Sequence, residues 1–134
     1  MQNEIVESAR AYLGVPFHHQ GRVRAGLDCA GLLVVVARDL GFEPLDLTNY
    51  DHDPDPDMLR SYLDMQLDRV SPFDRQIGDV LLMCLSSRAM RGHHLGIVTD
   101  IGIIHAYAPA RMVVETHLDA VMARSIVGAY RWPS

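Results

Sequence analysis

Lysine is absent from this chain of 134 residues, and every basic side chain is arginine. The formal net charge is −5, so the composition offers no basic footprint for nucleic acid. Only two cysteines occur, Cys29 and Cys84, which excludes a disulfide scaffold. No apolar run reaches the ~20 residues of a membrane-spanning helix, so no membrane span is expected. The start, Met1-Gln2-Asn3-Glu4-Ile5, has neither a basic n-region nor an apolar h-region, so no secretory signal is expected and synthesis in the cytoplasm follows. Low-complexity tracts and internal repeats are missing too. What remains is an ordinary globular composition, 49% apolar and 22% charged. One domain over residues 1–134 is expected, large enough to bury a core without disulfide or metal support.

Of the residues that are present, Cys29 is the most informative. It stands in Leu27-Asp28-Cys29-Ala30-Gly31-Leu32-Leu33, where a polar residue and a thiol open a long apolar run. Free cysteine is among the most buried residue types, and most lone cysteines simply pack. Here the position argues otherwise, because Asp28 is placed to cap a helix on whose first turn Cys29 sits. A helix N-terminus carries partial positive charge and unpaired N–H groups, which favours thiolate over thiol. Cys84, inside the apolar run Val80-Leu81-Leu82-Met83-Cys84-Leu85, reads as a structural residue.

The chain divides into helices first and strands afterwards. Ile5, Val6, Ala9, Tyr12 and Leu13 recur at helical spacing until Gly14 and Pro16 stop the pattern. A loop is expected from Val15 to Leu27. A second helix runs from Asp28 to Leu40 and stops at Gly41. Val34-Val35-Val36 favours a strand by propensity, but the length and the cap argue for a central helix. Thr48 to Asp57 reads as an acidic surface loop, and Pro56 opens a third helix through Met58, Leu59, Tyr62, Leu63 and Leu67. After Gly78 the period becomes strand-like over Asp79–Leu85, His94–Thr99, Gly102–Tyr107, Met112–Thr116 and Ser125–Arg131. That order predicts an α+β fold with an antiparallel sheet.

A thiol nucleophile needs a base to take its proton and a third group to orient that base. His94 and His105, on neighbouring predicted strands, are placed to supply both. A two-residue loop at Asp100-Ile101 sets Thr99 opposite Gly102 and Gly96 opposite His105. The two histidines then share one face as diagonal neighbours, roughly 7–8 Å apart at the backbone. A three-residue loop would put them on opposite faces unless a bulge intervened. His18, His19, His52, His93 and His117 read as structural or solvated. Cys29, His94 and His105 include no short ligand pair of the kind zinc sites use, so neither a metal nor another cofactor is expected.

The order Asp28-Cys29-Ala30-Gly31-Leu32, Gly78-Asp79-Val80-Leu81, His94-Leu95-Gly96-Ile97 and Ile104-His105-Ala106 resembles the NlpC-type cysteine endopeptidases of bacterial cell walls. The lead-in Tyr12-Leu13-Gly14-Val15-Pro16-Phe17 is similar to that family's. His19-Gln20 and the ending Ala129-Tyr130-Arg131-Trp132-Pro133 resemble its phage-tail branch, found in prophages and related particles. The resemblance spans nearly the whole chain. It implies a papain-like fold, with the cysteine on a central helix packed against the sheet. It also implies that Cys29 is the nucleophile, His94 the base and His105 the orienting residue. Phe17 stands where the family often has a tyrosine near the oxyanion, Ala30 replaces a common serine, and the interval from His94 to His105 is about one residue shorter than usual.

On that resemblance the expected activity is hydrolysis of peptide bonds in peptidoglycan stem peptides, the usual bond joining D-glutamate to diaminopimelate. The backbone N–H of Cys29 would hold the oxyanion, and Gln20 and Asp28 fall on the oxyanion and substrate side of the site. Arg22, Arg24, Arg88, Arg91 and Arg111 are charges that stem carboxylates would meet, although each also suits a solvated loop. Phage tail proteins are the other partners implied, and virion or tail association the implied route to the wall. Two rival readings stand beside this one: a tail assembly or structural component with weak or no hydrolysis, and a thiol acyltransferase or amidase on the same fold.

Overall fold

Each helix forms where an apolar stripe meets a capping or stop signal. The computed structural model describes residues 2–43, 56–86 and 91–133. Helix α1, Gln2–Arg10, buries Ile5, Val6 and Ala9. It ends sooner than the spacing predicts: Tyr12 reaches the core through a turn, Leu13 stays exposed, and Gly14 turns the chain at φ 85°. The Tyr12 hydroxyl donates to Asp39 Oδ2 at 2.8 Å.

The expected loop from Val15 to Leu27 contains a small antiparallel hairpin, β1 Arg22–Val23 and β2 Gly26–Leu27. Helix α2, Cys29–Asp39, follows at once and is buried from Ala30 to Ala37. The valine run is helical there because burial on all sides outweighs a propensity difference that spans only ~1 kcal/mol. Leu40 forms the C-cap, and Gly41 takes the left-handed conformation at φ 86° that an L-residue adopts with strain. The acidic loop expected from Thr48 lies, up to residue 55, outside the described residues. Helix α3, Pro56–Gln66, begins at the proline as expected, and Leu59, Tyr62 and Leu63 are buried.

The second half is a six-stranded antiparallel sheet, made of β3 Asp68–Val70, β4 Val80–Ser86, β5 Arg91–Val98, β6 Ile103–Tyr107, β7 Met112–Thr116 and β8 Ile126–Arg131. Their spatial order is β3-β8-β4-β5-β6-β7. The fold is therefore α+β, as the sequence predicts. Two short elements had no strong signal: edge strand β3, which is stabilised by pairing with β8, and helix α4, Ala120–Arg124, which Asp119 caps through the Met122 N–H at 2.8 Å.

The sheet separates two cores. Val80, Leu82, Leu95, Ile97, Ile104 and Tyr130 face the helices, together with Leu32, Leu33 and Val36 of α2. Leu81, Met83, Leu85, Ile103 and Ala129 face the other way, under Leu118, Met122 and Ile126. Cys84 contradicts its expected burial and is exposed. It shares strand parity with Val80 and Leu82, but the helix-side core ends at Leu82 on this strand. Among the described residues, no helix is long and apolar enough to cross a membrane.

Candidate active site

The loop before α2 is built around Asp28. This carboxylate is buried, with a relative exposure of 3%. Its Oδ1 accepts from the Gly31 N–H at 2.8 Å and from Arg22 at 3.0 Å, while Oδ2 accepts from the Gln20 N–H at 2.8 Å. A buried charge needs this kind of pairing to be tolerated. Asp28 therefore serves as the cap and anchor of the loop, and a carboxylate in that state offers no donor to an oxyanion. Gln20 takes φ 61°, with its N–H bonded to Asp28. Gly31 is required by close approach, because a Cβ there would overlap the Gly21 carbonyl oxygen. Phe17 pairs with Leu27 in a parallel bridge and packs on the helix-side core.

This framework sets Cys29 at the first residue of α2, half-buried. The backbone N–H groups of Leu95 and Ala30 are placed to donate to its sulfur. The expectation of a resting thiolate is nevertheless corrected. Burial pushes the Cys29 thiol up to about 12, and the adjacent Asp28 carboxylate works in the same direction. The two N–H groups and Arg22 offset only part of that. The helix end helps a thiolate, but the charge of its own cap and the loss of water outweigh it.

The turn decides the histidines. Ile97 pairs with Ile104 and Val98 with Ile103, and the Thr99 N–H donates to the Gly102 carbonyl at 2.8 Å. This is the register of a two-residue loop, pinned by the Thr99 hydroxyl, which accepts from Ile101 and Gly102 at 3.1 and 3.0 Å. His94 and His105 accordingly share a face and lie just past the paired part of β5 and β6. His94 Nε2 and His105 Nδ1 are 2.7 Å apart. Their rings meet edge to face, with centroids 5.0 Å apart and planes at 62°. His94 Nδ1 is buried and has no partner among the described residues.

Both imidazoles are fully buried. Burial, together with His105, lowers His94 to about 3, and burial lowers His105 to about 4. Each is therefore neutral at pH 7, with one ring nitrogen a donor and the other an acceptor. Cys29 meets β5 at Leu95, the neighbour of His94. The arrangement thus offers a neutral thiol, a neutral imidazole with one buried acceptor nitrogen, and a second imidazole bonded behind it. These are the components that a thiol nucleophile, its base and an orienting group would require.

Two residues of the cluster carried no signal in the sequence reading. Thr116 Oγ1 lies 3.0 Å from His105 Nε2. Tyr107 stacks on His105 at 4.7 Å and lies 5.7 Å from the His94 ring. Both follow from β6–β7 pairing, which sets Ile103 opposite Thr116 and His105 opposite Val114. Drawing that second register would have placed Thr116 diagonally beside His105. Tyr107 also borders an open cavity of about 330 Å³ on the α4 side of the sheet. Of the five arginines, Arg22 is held by Asp28, and Arg24 packs over the Tyr12 ring and donates to the Ala11 carbonyl. Arg88 and the side chain of Arg91 lie outside the described residues. Arg111 is exposed. Among the described residues, no cluster of three His, Cys, Asp or Glu side chains is placed to hold a metal ion.

No protein-family model matches the chain, and no curated protein does. Solved structures do. An NlpC/P60 family protein from Bacillus cereus superposes with a TM-score of 0.74 at 19% identity over 98% of this chain. The NlpC/P60 domain of the peptidoglycan hydrolase SagA gives 0.69 at 22% identity, covering 97% of both chains. A lipoprotein-like NLP/P60 protein from Staphylococcus aureus gives 0.71 at 18% identity over 99% of this chain. The chain spans 40% of the Bacillus cereus protein and 41% of the Staphylococcus aureus one. At these identities the likeness is one of fold, and it extends over nearly all of the chain: the fold is the papain-like fold of NlpC/P60 domains.

Proposed function

We propose that this chain is a cysteine peptidase that hydrolyses peptide bonds in peptidoglycan stem peptides. The observation that carries the reading is His94. Its Nε2 is engaged by His105 at 2.7 Å, its Nδ1 is left buried and unpartnered, and the next residue along the strand donates to the Cys29 sulfur. A structural histidine has no need of such an arrangement, because a buried ring nitrogen without a partner is unfavourable. The fold shared with the SagA domain, described as part of a peptidoglycan hydrolase, supports the substrate class.

In this reading Cys29 attacks the stem carbonyl as its proton passes to His94 Nδ1. Thiolate and imidazolium then form together, and their mutual attraction offsets two burial penalties that neither charge would overcome alone. The tetrahedral oxyanion takes the Cys29 N–H. Asp28 uses the Gly31 N–H and the Ala30 N–H lies against the sulfur, so this is the first-turn donor that neither uses. Gln20 stands in the adjoining loop as the second candidate donor. His94 returns the proton to the leaving nitrogen as the C–N bond breaks, which leaves a thioester on Cys29. Water, giving its proton to His94, releases the carboxylate, and the sulfur regains the proton.

The bond between D-glutamate and diaminopimelate is the target we assign, and Arg111 is the guanidinium we assign to a stem carboxylate. Delivery by a phage tail rests on two sequence stretches only. In the fold, the second of these has local work to do: Arg131 pairs with Asp79 at 2.9 Å, and the Trp132 indole donates to the Gly78 carbonyl at 2.8 Å. The test is digestion of purified peptidoglycan with mass analysis of the products. New free amines and carboxyls within the stems, lost in Cys29→Ala, support the proposal. Intact stems overturn it.

A further inference from the structure

We infer that Thr116 is a positioning residue whose hydroxyl, as terminal acceptor of the chain His94–His105–Thr116, fixes which nitrogen of each histidine carries the proton. This rests on the proposed function, because it concerns the base of the same site.

Two proton arrangements fit the distances. In the first, His94 carries its proton on Nε2 and donates to His105 Nδ1, and His105 carries its own on Nε2 and donates to Thr116 Oγ1. His94 Nδ1 is then a lone pair, as the base of the proposed reaction requires. In the second, the Thr116 hydroxyl donates to His105 Nε2, His105 Nδ1–H donates to His94 Nε2, and the His94 proton sits on Nδ1. A hydroxyl can play either part, so the far end decides. The second arrangement buries an N–H at His94 Nδ1 that has no acceptor among the described residues. The first leaves there only a lone pair, and an orphaned lone pair is tolerated better in a protein interior than an orphaned N–H. Both donors then point the same way, from His94 to Thr116, and only this direction leaves His94 able to act as a base.

The geometry gives Thr116 this one task. Its Oγ1 lies 3.0 Å from His105 Nε2, and it has no other side-chain partner among the described residues. Because both imidazoles are buried and neutral, the tautomer is set by hydrogen bonds and not by charge. Without an acceptor at position 116, nothing at that end favours His105 Nε2–H over Nδ1–H. Molecules in the wrong tautomer are inactive until the chain reverses.

Thr116→Val keeps shape and β-propensity while removing the acceptor, and Thr116→Ser keeps the acceptor. The Val change is expected to lower kcat about tenfold with KM unchanged, and the Ser change to restore it to within about twofold. Nitrogen-15 spectra of the imidazoles supply a readout without substrate. Both rings are expected to be protonated at Nε2 in the parent chain and in Thr116→Ser, with a population protonated at Nδ1 appearing in Thr116→Val. Cys29 alkylation by iodoacetamide, in a Cys84→Ala background, separates two kinds of failure. If His94→Ala leaves that rate unchanged, His94 is not the base and both readings fall. If His94→Ala slows it while Thr116→Val leaves tautomers and rate at parent values, this inference alone falls. Equal losses in the Val and Ser variants with unchanged tautomers would also overturn it.

Discussion

Acidification should destabilise this protein in the range where its two buried histidines stay neutral and their unfolded counterparts do not. His94 and His105 are fully buried, at about 3 and about 4 in the folded state against 6.5 for the free side chain. Below 6.5 the unfolded chain binds protons that the folded chain refuses, so stability rises with pH there and is lost as pH falls toward the folded values. At about pH 5 each unfolded imidazole lies roughly 1.5 units below its pKa while the folded one is still mostly neutral, which costs about 2 kcal/mol per residue and about 4 together. Because both folded values lie below 5, the figure depends little on how far below they lie. For a chain of this size it amounts to a fall in Tm of about 10–20 °C between pH 8 and pH 5. Replacing one histidine by a residue that does not titrate should remove half of it. Thermal unfolding of the parent and of His105→Asn at the two pH values measures this, and carboxylates common to both cancel. An equal fall in both proteins would show His105 charged in the folded state and refute the neutral pair.

Other substitutions probe the site's geometry and roles. Gly31→Ala should lower stability by about 1–3 kcal/mol and remove most activity, since its Cβ must displace the Gly21 carbonyl and with it the Asp28 anchor, as read by denaturant midpoint and peptidoglycan turnover. Activity on stem peptides should fall in the order parent, His105→Asn, His105→Ala, His94→Ala. Loss of the base should cost about 10²–10⁴, while an amide at 105 still accepts from His94 Nε2. If His94→Ala kept most activity while His105→Ala lost it, the two roles would be reversed. The kcat/KM profile should hold its plateau well below pH 6.5, because burial lowers both imidazoles. An acid limb near 6.5 would contradict that.

The sequence read most clearly where one pattern had one solution. Asp28 before an apolar run and Gly41 after it marked α2 to within a residue. Parity puts His94 and His105 on one face only if Asp100-Ile101 is a two-residue loop, and the Val98–Ile103 pairing is that of such a loop. What failed to show depended on tertiary context. The β1–β2 hairpin is two residues on each side, too short for any period. The thiol's state at Cys29 is set by burial and by the charge of Asp28, whereas position on a helix argued the opposite. Cys84 lies in an apolar run yet is exposed, because on β4 the helix-side core stops at Leu82. Thr116 is ordinary in sequence and gains its meaning only from the register of β6 with β7.

The central claim is that a stem-peptide acyl group passes through the Cys29 sulfur. Mixing the protein with stem-peptide fragments, quenching in acid and mapping the digest by mass tests it directly. An acyl mass is expected on the tryptic peptide from Ala25 to Arg38, which contains Cys29, and not on the peptide that contains Cys84. It should persist in Cys84→Ala and vanish in Cys29→Ala together with turnover. Turnover that continues in Cys29→Ala, with no adduct in the parent, would contradict the account.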